Sequence, residues 1–212
     1  KKYMPEKYVK RVATLTPRDS WDRSLSGRLG TRAKDAKSWL DAMDKGGVST
    51  AVLYPTNGLS VGWIREPDVA VQYARAWNDF CSEEFQKVSP RLKCVALAPF
   101  QDVPEAVKEL RRAVKDLGLK AVKFNGGWGD GDLDNEVLFP LYEEIADLHI
   151  PILLHPAARV FELQHSHPWL VGSERYQGYQ HFPTALGFPL TYMVSAARLI
   201  FSGALDRFPT LK

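Results

Sequence analysis

Cysteine is scarce in this chain: Cys81 and Cys94 are the two in 212 residues, too few for the disulfide framework of a secreted mini-domain. Cys81 falls in a helical pattern and Cys94 opens an apolar strand-like run. Both therefore read as buried small residues of a protein in a reducing, cytoplasmic compartment. A reactive thiol is the alternative, but neither cysteine has a nearby His or helix start in sequence to activate it. Long hydrophobic runs are missing too, which excludes a helical membrane span and leaves no membrane partner. Nor is there a charge excess of either sign: Lys+Arg total 28 against Asp+Glu 25. Without a basic stripe, nucleic acid is not an expected partner. The chain opens on Lys1 with no initiator Met and no signal peptide, so it is expected to be an internal piece of a longer protein.

What is present is a soluble globular composition, 45% hydrophobic and 25% charged. From Ala51 onward, short apolar runs alternate with longer amphipathic ones. The strands are expected at 51–54, 93–98, 120–124 and 152–154, with Pro55 and Pro99 closing the first two. Helical spacing covers 69–88 (Ala70, Tyr73, Ala74, Trp77, Phe80, Cys81, Phe85), with Pro90 beyond it. The next helix is the best marked. Asp102 is placed to cap it, Glu105 to complete a capping box, and Gly118 to supply a left-handed stop after the Val103, Val107, Leu110, Val114, Leu117 stripe. Further helices are expected at 35–45, 139–148 and about 184–202.

Strand and helix alternating without hairpin signals imply an α/β fold with a parallel sheet. Two architectures satisfy that pattern, an open doubly wound sheet and a closed (β/α)8 TIM barrel. No G-x-G-x-x-G or G-x-x-x-x-G-K-[ST] fingerprint follows the strands, which weakens the nucleotide-binding open sheet. The 212 residues fall short of the roughly 250 of a complete barrel. Residues 1–46 read as an N-terminal excursion with a first helix, and 47–212 as a partial barrel. Within the excursion, 1–32 is charged and weakly periodic.

In a parallel barrel the chemistry gathers at the carboxyl ends of the strands. Those ends carry Pro55-Thr56-Asn57, Pro99-Phe100, Asn125-Gly126-Gly127-Trp128 and His155-Pro156. His155 stands out: a histidine directly at a strand end is held rigidly enough for a metal ligand or a general base, and equally suits a hydrogen-bonded rim position. Arg159 can pair with a substrate carboxylate or lie on the surface. His181, just before a helix, is placed to reach a substrate or to be solvated. His165-Ser166-His167 has no strand around it to put its rings on one face. Trp128, Phe161, Trp169 and Phe182 suit an aromatic-substrate wall, a lid or a dimer interface. Asp130, Asp132 and Asp134 do not match a calcium loop.

Leu154-His155-Pro156 after Leu148-His149-Ile150-Pro151-Ile152-Leu153 resembles the fifth-strand motif of the amidohydrolase-related family. Other stretches resemble that family in order, among them Gly47-Val48-Ser49-Thr50-Ala51-Val52-Leu53-Tyr54-Pro55, Ala76-Trp77-Asn78-Asp79, Phe139-Pro140-Leu141-Tyr142-Glu143-Glu144 and Arg207-Phe208-Pro209-Thr210-Leu211-Lys212. The family contains aminocarboxymuconate semialdehyde, γ-resorcylate and 5-carboxyvanillate decarboxylases. The resemblance implies a metal-dependent (β/α)8 barrel of which strands 2–5 are visible. It also implies a divalent metal, zinc or manganese, held by two groups from the first strand, the fifth-strand His (His155 here) and an eighth-strand Asp. A further His after the sixth strand acts in catalysis. Apart from His155, those groups fall outside this sequence. The activity implied is non-oxidative decarboxylation or hydrolysis of a small aromatic or unsaturated carboxylate, in a protein that is a homo-oligomer, a dimer, when complete. Two other readings stand beside it: a half-barrel interaction module without activity, and a metal-free lyase using a Schiff base at Lys123, whose facing relative to Phe124 the sequence leaves open.

Overall fold

The computed structural model describes residues 2–15, 35–55, 58, 61–125, 133–155 and 188–212. Four short strands form one parallel sheet in the order of the sequence: β1 (Ala51–Leu53), β2 (Leu92–Leu97), β3 (Ala121–Asn125) and β4 (Ile152–His155). Ala51 pairs with Leu92, Val95 with Ala121, and Val122 with Ile152, so β1 and β2 start level, β3 starts three residues along β2, and β4 starts one residue along β3. All four lie within a residue of the expected bounds. Consecutive order excludes a strand sequence that doubles back, the signature of an open nucleotide-binding sheet.

Strand residues alternate between faces. Leu92, Cys94, Ala96, Val122 and Phe124 pack in one core with Leu110, Ala113, Leu141, Tyr142 and Ile145 of the helices, and Ile152 and Leu154 pack against it. Those helices are α4 (Val103–Lys115) and α5 (Phe139–Asp147), and α3 (Pro67–Cys81) covers β2 beside them. The opposite parity, with Val52, Lys123, Leu153 and His155, faces inward. The sheet curls strongly about that face: the rings of Tyr54, after β1, and His155, ending β4, lie 5.9 Å apart although two strands separate them. The result is part of a barrel wall with helices outside. Val52 is 53% exposed and every residue of β4 is half-buried, because these two strands form the edges of the sheet. The backbone of Lys212 lies along the free side of β4, its carbonyl accepting from the Ile152 N–H at 2.7 Å.

The remaining helices are α1 (Glu6–Leu15), α2 (Ala36–Gly46), α6 (Phe188–Phe201) and α7 (Ala204–Arg207). Three features differ from the sequence reading. First, the weakly periodic opening holds α1, fastened to α3 by the Arg11–Asp68 ion pair at 2.7 Å, with Lys2 and Tyr3 just ahead of it meeting Glu84. Second, α3 gives way at Ser82 to a π-helical turn, Ser82–Gln86, rather than running on as α-helix. The turn faces the Gly118 corner, where Ser82 Oγ donates to the Leu117 carbonyl at 3.1 Å and the Gln86 amide donates to the Leu117 and Gly118 carbonyls. Gly118 has the left-handed φ of 76° that the sequence anticipated.

Third, the capping box at α4 is only half formed. Asp102 accepts from the Glu105 N–H at 3.0 Å, but the Glu105 side chain turns outward to Arg75 and Lys108. The Asp102 N–H is already bonded to the Pro99 carbonyl at 3.1 Å, so it offers Glu105 nothing. The reciprocal box forms at α2 instead, between Asp35 and Ser38.

Candidate functional site in the mouth of the barrel wall

The inward parity of the sheet assembles a small group at the carboxyl ends of the strands. His155 is the last residue of β4, in register with Asn125 at the end of β3. Since Ile152 and Leu154 pack on the helix side, alternation turns the His155 ring to the inner face. There it meets Tyr54 at a tilt of 48°. Burial raises the Tyr54 pKa above its ordinary value. Tyr192 of α6 is raised by the same cause and secondarily by Tyr54, which places α6 at the same mouth. Both phenols therefore stay neutral and serve as hydrogen-bonding, aromatic walls at physiological pH.

Lys123 sits two residues deeper on β3, and the structure settles its direction: with Phe124 in the helix-side core, Lys123 faces inward. It is fully buried, and its Nζ donates to the Gly58 carbonyl at 3.2 Å. Desolvation pushes its pKa down to about 7. A partly neutral amine is what a Schiff-base lysine needs, but this one lies sealed beneath Gly58 with no exposed surface, so an incoming carbonyl carbon cannot reach it.

The two cysteines behave as the sequence indicated. Both are buried, the Cys94 thiol donates to the Cys81 carbonyl at 3.3 Å, and burial pushes the Cys81 thiol up, which keeps it protonated and unreactive. Arg159 and His181 lie outside the described residues, as do Trp128, the acidic loop at Asp130 and Asp132, the His165–His167 pair and the aromatics Phe161, Trp169 and Phe182. Among the described residues no three His, Cys, Asp or Glu side chains gather closely enough to hold a metal ion. His155 thus presents a single imidazole that fits as one ligand of a larger donor set. Tyr54 and Gly58 were not singled out from sequence. The period-two pattern from Val52 to Tyr54 to the strand end carried the signal for the tyrosine; nothing local marked the glycine.

The comparisons with known proteins agree with this geometry. The amidohydrolase family profile matches residues 21–212. A γ-resorcylate decarboxylase of Rhizobium sp. strain MTP-10005 is 32% identical over 94% of this chain and 59% of its own length. A 2-amino-3-carboxymuconate-6-semialdehyde decarboxylase of Dictyostelium discoideum is 27% identical over 71% of this chain and 39% of its own. In three dimensions, the dihydroxybenzoic acid decarboxylase of Polaromonas sp. JS666, solved with bound manganese and the inhibitor 2-nitroresorcinol, superposes with a TM-score of 0.71 at 28% identity. That match covers 98% of this chain and 60% of the other. This chain therefore spans about three-fifths of the length of the γ-resorcylate decarboxylases it matches. Profile, relatives and barrel wall converge on one assignment: the chain belongs to the amidohydrolase family.

Proposed function

We propose that the complete protein is a divalent-metal-dependent, non-oxidative decarboxylase of a small aromatic carboxylate of the 2,6-dihydroxybenzoate class, its barrel completed by strands beyond those described. The observation that carries this reading is His155, on the inward face at the carboxyl end of β4, within a chain 32% identical to a γ-resorcylate decarboxylase. Its part is to hold a metal ion with one neutral imidazole nitrogen, the remaining donors coming from sequence outside this chain. The metal is manganese, by analogy with the Polaromonas protein, with zinc as the alternative. When bound, the ion supplies positive charge that orients the substrate's oxygen atoms and offsets the charge developing as carbon dioxide departs.

The chain's own residues then do the following. Tyr54 and Tyr192 wall the mouth with neutral aromatic surface suited to a flat ring. Arg159 is assigned the substrate carboxylate and His181 proton delivery to the ring carbon, which must gain a proton once the carboxylate is lost. Hydrolysis by the same site is the second reading, and a choice of substrate by turnover separates the two. We also propose a cytoplasmic homodimer, supported by the two free thiols and by the apolar side chains that α6 leaves exposed, Phe201 at 87% among them.

The test is to purify the full-length protein, determine its metal content by elemental analysis and follow loss of 2,6-dihydroxybenzoate with carbon dioxide release. Stoichiometric metal with turnover supports the reading. A protein without metal and without turnover returns the family member to an inactive scaffold.

A further inference from the structure

The connection that leaves β1 is held down at Gly58 from two sides. Its N–H donates to the Pro55 carbonyl at 2.9 Å, and its own carbonyl accepts from the Val61 N–H at 3.2 Å and from Lys123 Nζ at 3.2 Å. Beneath it lies Leu97 of β2. A Cβ on Gly58 would come within 2.6 Å of Leu97 Cδ1 and 2.8 Å of Pro55 Cβ, so only glycine lets the backbone descend this far onto the sheet. Pro55 follows Tyr54 directly, and Tyr54 is the ring that faces His155.

We propose that Lys123 is a positioning residue of the barrel mouth: by donating to the Gly58 carbonyl it pins the β1 connection onto the inner face of β2 and β3, and so sets Tyr54 opposite His155. The alternative role for a fully buried side chain is to fill space. A lysine fills space poorly, because burying its amine costs free energy that a methionine of similar length would not incur. Its contact with Gly58 joins two strands that are not neighbours, β1 through its connection and β3, across the top of β2. That is the geometry of a strut, and on β3 it starts two residues before Asn125, the residue in register with His155. The inference deepens the decarboxylase reading by adding a residue that shapes its site, but its structural half does not depend on that reading.

The experiment compares wild type, Lys123→Met and Gly58→Ala in the full-length protein by hydrogen exchange at the Gly58 and Val61 amides, by thermal melting, and by KM and kcat on 2,6-dihydroxybenzoate. Lys123→Met is expected to melt no lower than wild type while those two amides exchange at least about tenfold faster. Its KM is expected to rise about tenfold with a smaller change in kcat, the pattern of a misplaced binding wall. Gly58→Ala breaks the same contact from the carbonyl side and should reproduce the exchange and KM changes. Wild-type exchange at both amides in Lys123→Met overturns the proposal, since a space-filler would give that result. Should Lys123→Met fail to fold, Gly58→Ala decides: unchanged Val61 exchange and KM overturn it. If wild type does not turn over the substrate, the decarboxylase reading falls while the exchange comparison still decides the strut.

Discussion

The side-chain amide of Asn78 stands in for a neighbouring strand beside Leu97: its Nδ2 donates to the Leu97 carbonyl at 3.0 Å while its Oδ1 accepts from the Leu97 N–H at 2.9 Å. The β1–β2 ladder stops at Leu53–Cys94, three residues short of Leu97, so the backbone groups there need another partner. Trp77 on the same helix helps, its indole N–H donating to the Val95 carbonyl at 3.4 Å. Asn78 Nδ2 also reaches Glu109 Oε1 at 2.8 Å, and Glu109 is in turn held by Arg112 Nε at 2.8 Å. A buried polar chain thus ties β2 to α3 and α4.

Asn78→Ala should therefore be costly out of proportion to its size. It strands the Leu97 N–H and carbonyl and removes one donor from a fully buried carboxylate, a loss of about 3 kcal/mol. Urea unfolding reads it as a lower midpoint at unchanged slope. A loss under about 1 kcal/mol would mean that water or the backbone replaces the amide.

His155→Ala in the full-length protein should leave the fold nearly intact, since the ring is half-buried at a strand end and faces the mouth rather than the helix-side core. Metal content should fall well below one per chain and turnover should vanish, because no described neighbour can replace the lost ligand. A variant that keeps both stoichiometric metal and normal turnover would make His155 a rim residue.

Lys123 makes stability depend on pH. Its folded-state pKa of about 7 lies below the ordinary 10.5. Between those values the unfolded chain binds the proton that the folded chain lacks, so this group's contribution to stability rises as pH increases from about 7 and levels off above 10.5. Below pH 7 the burial penalty is fully present. The span is on the order of a few kcal/mol. Subtracting the pH profile of Lys123→Met from that of wild type isolates it from the tyrosines and thiols that titrate nearby. A flat difference from pH 7 to 10 would show that the amine stays charged in the fold.

The chain of 212 residues, purified alone, should associate rather than run as a 23.9 kDa monomer. Among the described strands β1 and β4 are edges, β4 met on its outer side by Lys212 at Ile152, and Met193, Ile200, Phe201 and Val52 are exposed apolar side chains. Sedimentation velocity measures this, and Phe201→Ser with Met193→Ser should shift the distribution toward monomer. A monodisperse wild-type monomer with sharp cooperative unfolding is the contrary result.

What the sequence by itself determined is the order of elements and their parallel arrangement. Hydrophobic period, prolines at strand ends and cap residues such as Asp102 act within a few positions of the chain, and their physics is local. The place of His155 at the end of β4 was legible for the same reason, since a histidine closing an apolar strand can be seen without knowing what lies across from it. Tertiary structure alone decided which face Lys123 takes, that Tyr54 confronts His155, and that Gly58 is the seat of a contact from β3. Each of these depends on how far a parallel sheet curls and where a connection lands. Curl and landing are set by packing between residues dozens of positions apart, such as Leu97 beneath Gly58 and Asn78 beside Leu97. No pattern confined to a short window carries that information. The half-formed capping box at Glu105 makes the same point in reverse: the local signal was sound, but Arg75 from another helix competed for the side chain, and Pro99 had already taken the Asp102 N–H.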